Sequence, residues 1–538
     1  MAKKNNAVLT APSKQPALQP ALTTRPLDFQ KRLEKRLFAS LDNEGKGSLS
    51  KRQFLHTLRY SGILDNDPRL NESMEHLQNF SLDEPIALDD LIELTHHNGQ
   101  LIQKVLQNQL IIPDFKTFCE DISAIYDATA LTNAGKVADY IPQLARVSPD
   151  QFGVSLCTID GQRFSRGDTQ VPFSIQSTSK TISYCIALEE HGNAVVHNHI
   201  GFEPSGKGFN ELTLNSKGLP HNPMINAGAI MSCSLIQPQL DLADRFDYVM
   251  DVWTAAAGGQ RPGFNNAVYL SERHTADRNF ALGYFMRENK AFPEGVNLIE
   301  TLEFYFQCCS IEATAELLSV VAGTLANGGI CPITGLRVLK PDTVKNCLSL
   351  MYSCGMYDYS GEFAFTIGLP AKSGVSGVVM LVVPNVMGLC IWSPRLDQHG
   401  NSVHGIEFSR RLVERYNFHN YDSLVSVHDE KTDPRLHKNE SKIKSIIALC
   451  WAAAQGDLQE VKHLYASGVH LDEADYDGRT ALHLAASEGQ IEVIEFLIRK
   501  QVSLNPIDRW GGTPLADAHR HGHTAVVRLL EQHGGTMP

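Results

Sequence analysis

Four stretches of the chain carry residue types whose spacing could do chemistry. Ser177-Thr178-Ser179-Lys180 sets a hydroxyl three residues ahead of an amine, just before the apolar run from Ile182 to Leu188. On a helix start the two would share one face, a turn apart. That suits a nucleophile and its base. A serine hydroxyl is weak at neutral pH and needs a neighbour to take its proton. A lysine can do so where burial or a nearby cation keeps it neutral. A helix N-terminus also favours negative charge developing beside Ser177. The spacing alone is not diagnostic, since S-x-x-K recurs at Ser48–Lys51 and Ser441–Lys444. A serine at a helix start is also an ordinary cap. The second stretch is Lys372-Ser373-Gly374, the one K-S/T-G in the chain.

The other two stretches point to metals and fail the test. Asp42 to Gln53 has the outline of an EF-hand loop, with Asp42 at position 1, Gly47 at position 6 and Leu49 at position 8. Position 5 is Lys46, a cation where calcium needs an oxygen. Position 12 is Gln53, which lacks the bidentate charged carboxylate. A helix pair that keeps the shape without calcium is the reading. His519, His521 and His523 straddle a loop and read as surface histidines, so no metal site is assigned.

The elements around the serine sharpen its meaning. Phe152 to Thr158, then Asp160-Gly161, then Gln162 to Ser165 reads as a hairpin, because Asp-Gly between strand-like runs favours a tight turn. Residues 377–392, GVVMLVVPNVMGLCIW, read as a second hairpin turning at Pro384-Asn385. A spanning helix would want about 20 unbroken apolar residues. Strands at both ends with helices between predict one antiparallel sheet built from distant segments. S-x-x-K before a helix plus K-T/S-G on a late strand is the signature of the penicillin-recognising serine acyl-enzymes. By that likeness the N–H groups of Ser177 and Val375 would form an oxyanion hole.

Composition frames the rest. The chain has 538 residues, 43% hydrophobic and 20% charged, which is ordinary globular composition over several domains. A net charge of −12 argues against a nucleic-acid or anionic-membrane binder. Eleven cysteines without a C-x-x-C pair indicate neither a disulfide framework nor a zinc ribbon. Residues 1–27 carry Lys3, Lys4, Lys14 and Arg25 and no acid, and read as a disordered tail. Residues 28–125 read as an EF-hand-like helical domain, 126–428 as a catalytic domain and 429–445 as a polar linker. Residues 446–538 repeat at a step of 33. Leu449-Cys450-Trp451-Ala452-Ala453 aligns with Leu482-His483-Leu484-Ala485-Ala486, and Thr480-Ala481-Leu482-His483 recurs as Thr513-Pro514-Leu515-Ala516. That period resembles ankyrin repeats.

Further strings in the middle zone complete a resemblance. They are Gly135 to Leu144, Pro220 to Ile230, Ser271-Glu272-Arg273, Asp277-Arg278-Asn279 and Cys354-Gly355-Met356-Tyr357. With these the chain closely resembles the glutaminases of β-lactamase-like fold, over about 130–425. The order of parts matches the kidney-type animal enzymes, and some bacteria carry similar versions. The fold class implied is multidomain: an all-α EF-hand-like domain, an α/β catalytic domain of the β-lactamase and penicillin-binding-protein type, and all-α ankyrin repeats.

The resemblance implies hydrolysis of L-glutamine to L-glutamate and ammonia, with no metal or organic cofactor and with inorganic phosphate as an activator. Ser177 would attack, Lys180 would take its proton and Tyr357 would relay protons. Tyr140, Gln176, Asn226, Glu272, Asn279 and Tyr305 match substrate-binding positions. Glu272 is the natural partner of the substrate ammonium, and Asn226, Asn279 and Tyr305 can donate to its carboxylate. The structural alternatives are helix caps for the two asparagines and aromatic core for Tyr305. Residues 205–222, rich in glycine and polar residues, suit a mobile loop beside the site. In animal relatives that loop couples assembly and phosphate to catalysis. Leu212-Thr213-Leu214 departs from their aromatic middle position, which leaves phosphate dependence open here.

The resemblance further implies a homo-oligomer, a dimer of dimers able to form filaments, and a protein partner on the ankyrin repeats. Neither nucleic acid nor membrane is expected as a partner. The arginine-poor start favours a bacterial cytosol, whereas an animal source would imply the mitochondrial matrix. Two other functions compete. One is a β-lactamase or peptidase-like enzyme, against which Glu272 and the Asn226 string count. The other is an inactive ankyrin scaffold, against which intact Ser177, Lys180 and Tyr357 count.

Overall fold

The computed structural model describes residues 49–538 apart from 87–89, 91–92, 95–97, 107–108, 207, 209–210, 425–430, 437–439 and 467–468. The tail 1–27 and the EF-hand-like loop up to Ser48 lie outside the described residues. At the end of the loop outline, Ser50 caps the helix Lys51–Tyr60 by accepting the Gln53 N–H, and the Gln53 side chain accepts the Ser50 N–H in return. Gln53 is therefore engaged in a capping box, which satisfies two orphan donors at once. Leu49–Ser50 pairs antiparallel with Pro85–Ile86, and Phe54, Leu58, Leu70, Leu77 and Ile102 close a small core.

The catalytic region centres on a five-stranded antiparallel sheet. Its strands are β1 (Gly153–Thr158), β2 (Arg163–Gly167), β3 (Ala371–Gly374), β4 (Val378–Val383) and β5 (Met387–Trp392), in the order β2-β1-β5-β4-β3. Both hairpins expected from sequence are present. β1 turns into β2 at Asp160-Gly161, where Gly161 takes φ +89°, and β4 turns into β5 at Pro384-Asn385. Trp392 lies opposite Gly153, which joins segments more than 200 residues apart. Every residue of β1, β4 and β5 is buried, because both faces are covered, and β4 and β5 accordingly read as unbroken apolar runs. Helix Ala315–Ala326 lies so close to β5 that a Cβ at Gly388 would sit 2.1 Å from the Ala322 carbonyl carbon. On the other face lie Phe115–Ala130 and Val403–Arg415, whose Phe118, Ile122, Phe408 and Leu412 pack onto Val379, Leu381 and Leu389.

The β1–β2 turn also ties the N-terminal region to the sheet. Asp160 accepts from Lys104 Nζ at 2.7 Å and from the Ile111 N–H at 2.7 Å, and Gln162 donates to the carbonyls of Ser61 and Ile112. No helix among the described residues is long and apolar enough to cross a membrane.

Beyond the catalytic region the structure departs from the sequence reading. The polar stretch 429–445 is not all linker. Thr432 bridges to Tyr416, Lys431 pairs with Asp422, and a helix already begins at Glu440 (Glu440–Gln455). Three helix pairs then stack at the expected step, with Thr480 and Thr513 as N-caps of the second and third. The triplet of histidines is not a metal cluster: His521 and His523 both contact the Ser487 carbonyl of the preceding repeat, at 2.8 and 2.9 Å. His483, Asp508 and Asp517 lie together, but each is used structurally. His483 contacts the Gly512 carbonyl, Asp508 accepts two backbone N–H groups, and Asp517 pairs with Arg479.

Candidate active site

Ser177 does not begin the long helix. It sits in a 3₁₀ turn, Gln176–Thr178, directly before α1 (Ser179–Val196). The turn is strained at its first residue, where Gln176 has φ +48°, a left-handed conformation that costs about 1–3 kcal/mol in a non-glycine residue. The serine- and threonine-rich sequence holds it. Thr178 Oγ1 donates to the Ile175 carbonyl at 2.6 Å, Ser179 Oγ to the Gln176 carbonyl at 2.7 Å, and Thr181 Oγ1 to the Thr178 carbonyl at 2.7 Å. Of residues 173–188, Ser177 alone is not fully buried. Its neighbours are locked into the core, whereas Ser177 is partly exposed.

Lys180 Nζ donates to Ser177 Oγ at 2.9 Å and to Asn226 Oδ1 at 2.7 Å. The lysine is 1% exposed. Burial pushes its amine down to about 8, against partial compensation from Cys309, Cys233 and Glu272. A neutral amine within hydrogen-bond reach of a serine is a competent base. Neither asparagine is a helix cap. Asn226 is the first residue of α2 (Asn226–Leu235), whose cap is Ile225, and its Nδ2 donates to Asn279 Oδ1 at 3.1 Å. The sequence pairs Asn226 with substrate; it gives no sign that Asn226 also fixes Lys180.

Glu272, on α3 (Asn266–His274), accepts from Tyr140 OH at 2.6 Å and from Gln176 Nε2 at 3.1 Å. Burial pushes its carboxyl above the ordinary range, while those two donors and Lys180 work the other way. Asn279 lies on α4 (Asp277–Glu288), whose cap is Ala276. Tyr305, on α5 (Leu298–Cys309), is 4% exposed, and burial first, then Cys309, raise its hydroxyl well above the usual tyrosine range.

Tyr357 opens a second 3₁₀ turn, Tyr357–Tyr359, again with a positive φ of +52°. Burial raises its hydroxyl, and its hydrogen-bonding contact with Ser177 opposes that rise. It is thus a protonated phenol at neutral pH, beside the serine. Val375 follows the last residue of β3, and the strand end is pressed against the serine turn: a Cβ on Gly374 would lie 2.9 Å from the Ile175 carbonyl. The Val375 side chain packs with Ile141, Leu144 and Val268. Lys372 has no role of its own in the sequence reading beyond its place in the K-S-G motif. It is fully buried in β3, and burial, then Lys180, push its amine well below the usual lysine range.

A cavity of about 520 Å³ opens beside Tyr357, lined by Pro204, Ser205, Asn222, Ile225 and Asp358 among others. Its wall includes part of the glycine-rich loop. The arrangement offers a hydroxyl for nucleophilic attack, an amine whose basicity is lowered by burial, a phenolic proton donor, a carboxylate for a cation and neutral amides for an anion. That set suits acyl transfer on a small zwitterion.

A glutaminase family model matches residues 135–421, a model of three ankyrin repeats matches 449–536, and an EF-hand domain model matches 33–113. A protein of Caenorhabditis elegans called putative glutaminase 2 is 46% identical over 457 residues, 82% of this chain and 74% of that protein. The mitochondrial liver isoform of glutaminase from Rattus norvegicus is 46% identical over 441 residues, 81% of this chain and 73% of that protein. A solved structure described as a probable glutaminase superposes with a TM-score of 0.53 at 34% identity, covering 55% of this chain and 95% of the other.

Proposed function

Because the chain belongs to the glutaminase family, whose reaction releases ammonia from the side-chain amide of L-glutamine, we propose that its own catalysis runs through an acyl-enzyme on Ser177. The observation that carries the reading is the 2.9 Å bond between Ser177 Oγ and a lysine held near the pH of work by burial. Ser177 Oγ attacks the amide carbon as Lys180 Nζ takes its proton. The developing oxyanion sits between the N–H groups of Ser177 and Val375. The proton taken up by Lys180 reaches the departing nitrogen by way of Tyr357, so the C–N bond breaks as ammonia leaves, an ester remains on Ser177, and Lys180 and Tyr357 return to their starting forms. Water, deprotonated through the same groups, then hydrolyses the ester to L-glutamate.

Glu272 binds the substrate ammonium, with Tyr140 and Gln176 orienting its carboxylate. Asn226, Asn279 and Tyr305 take the α-carboxylate. Glu272→Gln is therefore expected to raise KM for glutamine by roughly 10- to 100-fold, the worth of a charge-assisted hydrogen bond, with a smaller change in kcat. Steady-state kinetics check this. A kcat loss at unchanged KM would remove Glu272 from substrate binding.

No metal or organic cofactor is needed by these groups, and inorganic phosphate is the proposed activator, acting through the loop 205–222. The assembly is read as a dimer of dimers able to extend into filaments, with the ankyrin repeats free to hold a protein partner. The named mitochondrial location of the rat isoform supports a mitochondrial location over the bacterial cytosol. The direct test is ammonia release from L-glutamine by the purified chain, with and without phosphate, with L-asparagine as control. Glutamine-selective release is expected, and the phosphate ratio measures the coupling of loop to site. No release from a folded sample in either condition would leave the ankyrin scaffold reading in its place.

A further inference from the structure

Among the described residues, Lys180 and Lys372 are the lysines buried in the core, and the mechanism above employs only the first. Lys372 belongs to the K-S-G motif, yet its Nζ is turned inward. It donates to the Ser373 carbonyl at 2.8 Å and to the Gly355 carbonyl at 3.2 Å. It also lies over the face of the Tyr357 ring, 4.8 Å from its centre. These contacts join three elements: strand β3, the end of the helix Pro341–Cys354, and the 3₁₀ turn that begins at Tyr357.

The joint is tight. Gly355 caps that helix, and a Cβ there would fall 1.8 Å from the Ala371 carbonyl, so the backbone lies flush on β3. The Gly355 carbonyl also accepts the Ser373 N–H at 3.1 Å. Two residues on, Tyr357 adopts its left-handed φ, which persists only where the surroundings over-determine it. The backbone is fixed by Ser360 Oγ, which accepts the Met356 N–H at 2.9 Å and donates to the Tyr357 carbonyl at 2.7 Å. Asn401 Nδ2 adds a bond to the Met356 carbonyl at 3.2 Å. Those bonds set the backbone of the turn and do not touch the ring. Lys372 meets the ring face.

We propose that Lys372 is a positioning residue for catalysis, one that seats the Tyr357 ring so that its hydroxyl meets Ser177. The proposal rests on the proton-relay role given to Tyr357 and acts only through it. A lysine that merely filled core volume would matter equally whether or not Tyr357 carried its hydroxyl. A lysine that aims the hydroxyl matters only while the hydroxyl is there. Tyr357→Phe keeps the ring and deletes the hydroxyl, so it separates the two.

The experiment is a double-mutant cycle on the full chain, with Lys372→Met as the isosteric neutral replacement and Lys372→Gln as a second variant in case the first does not fold. Thermal melting checks folding. Tyr357→Phe is expected to lower kcat for glutamine by about 10²-fold, the size of one proton-transfer contribution. Lys372→Met is expected to lower kcat by about tenfold or more while KM stays within about twofold. In the Tyr357→Phe background Lys372→Met should cost no more than a further factor of about two, because the effects of coupled neighbours do not add. Additive losses would overturn the inference and leave Lys372 as packing. A Tyr357→Phe variant with full kcat would instead overturn the role of Tyr357 itself.

Discussion

Ser177→Ala is expected to abolish glutamine hydrolysis, with kcat falling by about 10⁴-fold or more and the melting temperature unchanged. Removing a nucleophile that acts as one unit with its base leaves only the contribution of binding and the oxyanion site, so the loss approaches that of the whole catalytic apparatus. The fold should not register the change. The serine turn is held by Thr178, Ser179 and Thr181, whose hydroxyls close onto backbone carbonyls, and Ser177 is not among these bonds. Its Oγ contributes the bond from Lys180, which keeps Asn226 Oδ1 as its other acceptor. Steady-state ammonia release and a thermal melt, run on the same preparation, test both halves. A variant that keeps even a tenth of the activity would show the nucleophile to be elsewhere. A variant that loses activity together with its fold would show the hydroxyl to be structural.

The features legible in sequence are those written locally. Asp160-Gly161 announces its hairpin because the turn demands that dipeptide's conformational freedom, and the 33-residue step is visible because each helix pair repeats the same contacts. The Ser177–Lys180 pair is three residues apart and needs only a turn to assemble. The rest depends on the chain returning to itself. Asn226 reaches Lys180 across 46 positions, and its bond reflects how α1 and α2 pack, which no local pattern encodes. The inward turn of Lys372 reflects β3 lying against Gly355, so the place of this lysine in its motif does not reveal what its amine touches. Ser50-Lys51-Arg52-Gln53 is both a capping-box pattern and the end of the calcium-loop outline, and Gln53, which offers calcium no charged carboxylate, is engaged in the cap. One misreading has a local cause. Glu440 starts a helix inside a stretch read as linker, since an end repeat carries a polar outer face and so mimics a loop in composition.

Lys180→Met should give an enzyme that is at once inactive and no less stable at pH 7. The native amine is pushed from 10.5 to about 8 by burial. Between those two values the unfolded chain binds a proton that the native chain does not, so stability falls as pH drops from 10.5 to 8. Below 8 both states are protonated and the full penalty persists, about 3 kcal/mol for such a shift. Methionine has a similar length and carries no charge, so at pH 7 the variant escapes this penalty. Against that, Asn226 Oδ1 loses the lysine as donor, a cost of about 1–3 kcal/mol. The melting temperature is therefore expected to hold or rise at pH 7, and the gain should shrink towards pH 10. Activity moves oppositely. Because the working form is the neutral amine, kcat/KM of the wild type should climb with pH through about 8 and level off above it. At pH 7 roughly one-tenth of the enzyme is in the competent state, about 300-fold more than an unperturbed lysine would supply. The variant should lose about 10³-fold or more in kcat and lose the rise near pH 8 with it. A pH profile that kept its acid limb in the methionine variant would assign that limb to another group and remove Lys180 as the base. The burial that weakens the fold at Lys180 is the same burial that lets the lysine act, which is why stability and turnover are expected to part at this residue.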